Sequence, residues 1–192
     1  MTKQEILDHA LALFMNKGYE GASMSDIAQA TGIKKASLYA HYSGKEEIFS
    51  AVFTGVVAEY RETIALLTQK RTDESALTRL ERMFRAFLRY CHNNARMYFW
   101  DRYFYFPPTF IAERMERETK QTQGEFQQAI QSAISEGIAR GEIRAQEVES
   151  AALAYYYLMI GLSMSVKLYE RDELERDISL AWAGLSAGLK QD

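Results

Sequence analysis

The chain has 192 residues, of which 47% are hydrophobic and 26% charged, with a formal net charge of −3. That is enough chain to bury a sizeable core, and the composition excludes a disordered polypeptide. One cysteine, Cys91, and three scattered histidines exclude a disulfide framework and a recognisable metal site, so no metal or other cofactor is expected.

The N-terminus, MTKQEILDHALALF, carries Glu5 and Asp8 where a secretory leader needs an apolar run. The longest uncharged stretch, 150–166, falls short of a membrane span of about 20 residues and holds three serines and three tyrosines. A buried helix is expected there, in a cytoplasmic protein with no membrane partner.

Helix signals recur from the start. Thr2 and Glu5 match a capping box, Ile6, Ala10, Leu13 and Phe14 follow at helical spacing, and Gly18 sits where a helix ends. Ser23 with Asp26, and Ser43 with Glu46, suggest two more helix starts. Between them, IAQATGIKKASLYAHY reads as a helix, a turn at Gly32 and a second short helix, which is a helix-turn-helix pattern. A plain helical hairpin fits the spacing alone.

Longer amphipathic helices are predicted near 45–69, 74–92, 95–105, 108–139, 146–170 and 173–190. Thr72 or Asp73 could start the second of this group, Pro107 and Pro108 fit the first turn of the fourth, and Asp172 could cap the last. The fold class is therefore all-α, with about nine helices. It divides into a three-helix head at 1–46 and a helical effector-binding and dimerisation domain at 47–192.

Charge is distributed unevenly. Residues 31–45 contain Lys34, Lys35 and Lys45 and no acid, which leaves 26 acids against 20 bases elsewhere. A local basic strip on an acidic protein suits phosphate contacts, with Ser37, Tyr39, His41 and Ser43 as interleaved donors.

Residues 3–50 resemble the N-terminal domain of the TetR family of bacterial transcriptional regulators. The segments ILDHALALF, GYEGASMSDIA, TGIKKASLYAHY and SGKEEIF carry the likeness. The resemblance implies a homodimer whose third helices enter the major grooves of a double-stranded operator. It places Lys35, Ala36, Ser37 and Ala40 near the bases, and Tyr39, His41 and Lys45 on phosphates. Ser23 and Ser25 are placed at the anion-favouring N-terminus of helix two. Lys34 stands where many members have a serine cap; it cannot accept that hydrogen bond but adds charge. Ala36 and Ala40 offer methyls, suited to thymine rather than guanine.

The last two helices form the expected dimer pair, with Tyr155, Leu162, Ile178, Ala181, Gly184, Leu185 and Gly188 at the interface. Aromatic density suggests sensing: seven of the nine residues in 98–106 are aromatic. A largely apolar or aromatic small-molecule effector is expected among Phe87, Tyr90, Cys91, Trp100, Asp101, Tyr103, Phe126 and Tyr156. No phosphate loop, Ser-His-Asp set or metal spacing is present, so an enzyme is not expected. The reading is a repressor released by its effector; a ligand-independent DNA-binding protein and an activator are the alternatives.

Overall fold

The structure is a computed structural model that describes residues 2–190. Among these residues it contains nine α-helices and no strand: α1 (Lys3–Gly21), α2 (Met24–Thr31), α3 (Lys35–His41), α4 (Lys45–Thr68), α5 (Ala76–Asn93), α6 (Met97–Tyr105), α7 (Ala112–Ala139), α8 (Val148–Ser163) and α9 (Arg171–Leu189). They belong to two compact units. One comprises Met1–Arg61 with Ala95–Thr119, the other Glu62–Asn94 with Lys120–Asp192.

In the first unit, α1 begins with the expected capping box. Thr2 Oγ1 accepts from the Glu5 amide and the Glu5 carboxylate accepts from the Thr2 amide. Ile6, Ala10, Leu11 and Phe14 face inward. Gly18 then leaves helical geometry at φ 77°, ψ 169°, a region open essentially to glycine. Helix α2 has its own box between Ser23 and Asp26, and Gly32, at φ 70°, makes the turn into α3.

Behind these helices lies an aromatic knot. Phe49 of α4 meets Phe14 at 5.1 Å, Tyr103 at 4.9 Å and Phe99 at 5.2 Å between ring centroids. Phe99 and Tyr103, four apart on α6, therefore belong to the core under the first three helices. The tyrosine hydroxyl donates to the Phe14 carbonyl at 3.0 Å.

The second unit is built on α5, α8 and α9. Tyr155 is fully buried and donates to the Leu80 carbonyl at 2.7 Å, while its ring meets Phe84 edge-on. Two α5 arginines close the C-terminus of α4, whose last carbonyls have no helical partner. Arg82 donates to Leu67 and Gln69 oxygens and holds Glu74 with two bonds; Arg79 donates to Thr68. Gly137 permits a close crossing, because a Cβ there would stand 2.6 Å from Ile143 and 2.8 Å from Ala76.

Several expected boundaries shift, each for a local reason. Helix α4 starts at Lys45 as expected, but Ser43 lies two residues before it and Gly44 accepts the first helical bond, so Glu47 rather than Glu46 reaches back to Ser43. Ser75 caps α5 in place of Thr72 or Asp73. Glu170, boxed with Glu173, starts α9 two residues before Asp172. Pro108 starts a 3-10 turn, Thr109–Ile111, so that α7 begins at Ala112. The apolar stretch Val148–Leu168 is long and apolar enough to cross a membrane by length and composition. Its regular helix, however, ends at Ser163, well short of residue 170, and turns Ala151, Ala152, Tyr155, Tyr156 and Met159 inward.

Gly18→Ala is expected to destabilise the protein by about 1–3 kcal/mol, from backbone strain alone. Its Cβ would also stand 2.7 Å from the Arg102 guanidinium. Chemical unfolding of the two forms measures the loss; equal stability would show that residue 18 does not hold this conformation.

Candidate nucleic-acid interface

Helix α3 is attached through few residues. Leu38 is wholly buried and Tyr42, just beyond the helix, nearly so; both join the core formed by Ile6, Phe14, Ile27 and Phe49. Every other residue from Lys34 to His41 is exposed. Lys34, Lys35, Ala36, Ser37, Tyr39, Ala40 and His41 thus form one continuous outward strip. Tyr39 keeps 48% of its surface, with the Lys35 ammonium 6.0 Å from its ring centroid. As its side chain dictates, Lys34 occupies the N-cap without a side-chain cap bond.

The remaining predicted contacts stand differently. Lys45 is half-buried: its ammonium donates to the Tyr19 carbonyl at 2.7 Å and lies 4.1 Å from the Tyr19 ring centroid. Two of its three N–H donors are left for another acceptor. Ser25 is exposed. Ser23 is also exposed, but its hydroxyl donates to Asp26 and accepts from the Asp26 amide. The Asp26 carboxylate also holds Lys17 at 2.7 Å. The N-terminus of α2 is therefore already closed by the protein's own anion. The Ser23 hydroxyl, expected at this anion-favouring helix start, is thus engaged in its own capping box. Lys3, not anticipated from the sequence, adds a cation 6.0 Å from the Tyr42 ring centroid, a placement that only the return of the chain after α3 reveals.

The aromatic candidates divide between the two units. Trp100, Asp101 and Tyr103 belong to the unit of the first three helices, where Trp100 stacks on Tyr60 at 5.1 Å. Phe87, Tyr90, Cys91, Phe126 and Tyr156 belong to the other. There Phe126 meets Phe87 at 5.3 Å and Tyr156 at 6.2 Å, and burial pushes the Tyr156 phenol up to about 12. The Cys91 thiol is 2% exposed.

The proposed pairing residues also need correction. Tyr155 and Ile178 are buried within their own unit and cannot present to a second copy. Leu162, Ala181, Leu185 and Gly188 are partly exposed, and Gly184 is exposed. Leu153, Tyr157 and Leu158 of α8 and Leu180 of α9 are the large apolar side chains left outward. They were missed because the apolar pattern of α8 runs round the whole helix and does not mark which side faces inward.

Residues 6–52 match the family model described as bacterial regulatory proteins, tetR family. Residues 6–52 form a TetR-family domain. Two similar proteins are both called biofilm operon icaADBC HTH-type negative transcriptional regulator IcaR. The protein from Staphylococcus epidermidis is 53% identical over 47 residues, 24% of this chain and 25% of its own length. The protein from Staphylococcus aureus strain Newman is 37% identical over 73 residues, 38% of this chain and 39% of its own length. The chain thus spans less than two fifths of the length of these curated relatives. Among solved structures, a TetR transcriptional regulator from Chloroflexus aurantiacus has a TM-score of 0.74 at 23% identity, over 99% of this chain and 96% of that one. A TetR/AcrR-family regulator from Thermobifida fusca has a TM-score of 0.70 at 20% identity, over 98% of both chains. At these identities the likeness establishes the fold.

Within the TetR-family domain, the charge at the start of α2 is strongly held. Hydrogen bonding from Lys17, then from Ser23, lowers the Asp26 carboxyl from its ordinary 3.8 to about 2. Because the folded value is the lower one, this contribution to stability is present above about 3.8 and is lost as pH falls towards 2. Carboxyl NMR titration should place the Asp26 midpoint near 2. A midpoint near the ordinary value would mean that Lys17 and Ser23 do not hold it in solution.

Proposed function

We propose that this protein is a homodimeric, TetR-like transcriptional regulator, a repressor that binds double-stranded DNA through α3. One observation carries the reading: the outward strip Lys34–His41, acid-free and seated through Leu38, on a domain of this family. Lys34, Tyr39, His41 and the remaining donors of Lys45 would hold phosphates, with Lys3 beside them. Lys35, Ser37 and the Ala36 and Ala40 methyls would meet base edges. Modest direct readout leaves much of the specificity to DNA shape and half-site spacing.

In this reading residues 1–46 act as the DNA-binding head, 47–192 as the sensing and pairing domain, and the working compartment is the cytoplasm. Two heads on a near-palindromic operator would stand about 34–36 Å apart, or a multiple of that. Dimerisation is assigned to the outward faces of α8 and α9. A Cβ added at Gly184 or Gly188 meets no atom of the chain within 4 Å, which leaves room for a close-packed second copy. An apolar effector is assigned to the aromatic group of Phe87, Phe126 and Tyr156, which it would have to part to enter. That ligand would release DNA only by favouring the non-binding form; about 1–3 kcal/mol of coupling changes affinity roughly 5- to 150-fold.

The primary test is selection of bound duplexes from random DNA, followed by titration against salt. Lys34→Ala should weaken specific and non-specific binding alike and reduce the salt slope by about 0.9. An unchanged slope would remove Lys34 from the interface, and no salt-sensitive affinity for any duplex would overturn the reading. For dimerisation, Leu180→Lys replaces a side chain that is 65% exposed in the single chain. Sedimentation should then show monomer; an intact dimer would place the interface elsewhere.

A further inference from the structure

A cleft of about 500 Å³ opens in the first unit between the end of α1 and the turn leading out of α6. That volume suits a small molecule. Its walls combine two cations, one carboxylate and a flat apolar side. Lys17 has its charge opposed by Asp26 at 2.7 Å. Among the described residues Arg102 has no carboxylate partner within ion-pair distance: its Nη1 donates to the Met15 carbonyl at 3.0 Å, and its Nη2 stands against Gly18, which has no Cβ to fill that space. Of its five N–H donors, one goes to the Met15 carbonyl and another engages the Tyr103 hydroxyl, and the exposed guanidinium keeps donors for a carboxylate. Beside them stand Phe106, 84% exposed, and the rigid Pro107 and Pro108. Glu20, on the same lining, opposes a second negative charge.

We infer that this cleft binds a small organic monocarboxylate with a flat, apolar body, its carboxylate on Arg102 and its body against Phe106 and the two prolines. The site is separate from the aromatic group of Phe87, Phe126 and Tyr156, and it acts on the head directly. Arg102 and Tyr103 hold the Met15 and Phe14 carbonyls just before Gly18 interrupts α1. A carboxylate that draws on Arg102 therefore pulls on a bond that fixes α1 at its interruption. Only glycine leaves room for this: any side chain at position 18 would occupy the guanidinium's place.

Benzoate added to the full-length protein, without DNA, is the test. Saturable shifts of the Gly18 and Phe106 backbone amides in NMR are expected, with Arg102→Gln weakening binding roughly tenfold or more and Lys17→Gln by less than about threefold. Because Arg102→Gln also removes the bond to Met15, Phe106→Ser supplies a second variant. It alters an exposed ring, leaves the core intact, and should weaken benzoate by about threefold or more. Inorganic phosphate and the dianion phthalate should compete at least about tenfold more weakly than benzoate. Absence of saturable shifts, binding indifferent to both variants, or equal competition by phosphate or phthalate would overturn the proposal. The readout needs no duplex, so its failure and a failure of DNA binding are separate results.

Discussion

The outward strip depends on how Leu38 is held. A seven-residue helix is far too short to persist by its own hydrogen bonds, since helices below about 12–15 residues are marginal in water. Helix α3 contributes one fully buried side chain, and the cluster of Ile6, Phe14, Ile27, Ile48 and Phe49 receives it. Burying a leucine contributes about 1.5–3 kcal/mol, more than any single contact on the outer face of α3. Because the anchoring is concentrated at Leu38 and Tyr42, the rest of the segment is free to be chosen for its charge and its hydrogen-bonding groups. The glycine at position 32 serves the same end: its left-handed backbone ends α2 in one residue and turns α3 outward.

The aromatic segment on α6 shows how one stretch can serve two purposes. Phe99 and Tyr103, one turn apart, complete the knot around Phe49. Phe104, Tyr105 and Phe106 remain exposed. Burial pushes the Tyr103 phenol up to about 12, so it stays protonated and keeps donating to Phe14 across the physiological range. Arg102, adjacent in sequence, donates to the next carbonyl along. Two consecutive α6 residues thus satisfy backbone groups at an interrupted helix end, where unpaired carbonyls would otherwise be costly.

Much of this organisation is legible from local chemistry. The boxes at Thr2 and Ser23, the glycine turns and the inward Ile6–Phe14 series depend on residues within a few positions of one another. The misplaced starts of α5 and α9 have a local cause too: each lies among several residues able to cap, and small differences decide which carbonyl opens the helix. What the sequence conceals is non-local. The chain passes between the two units near residues 61, 94 and 119, so aromatic residues close in sequence end in different cores. Burial of Tyr155 and exposure of Tyr157 likewise follow from which side of α8 meets α5, and an all-round apolar helix does not encode that side.

The helix starts of the first unit also explain the placement of charge. Glu5 at α1, Asp26 at α2 and Glu47 at α4 each accept backbone or hydroxyl hydrogen bonds near the helix entrance, and each carboxyl is lowered by them. These carboxylates remain ionised throughout the physiological range and complement the positive ends of their helices. At α3 that solution would place a fixed negative charge on the strip proposed to approach a polyanion. Helix α3 instead opens with Lys34 and Lys35 and has no side-chain cap. It forgoes the roughly 1 kcal/mol that a serine or aspartate cap supplies, and its stability shifts to the burial of Leu38. A protein of net charge −3 can thereby keep acids at three neighbouring helix entrances and still present a positive edge at the fourth.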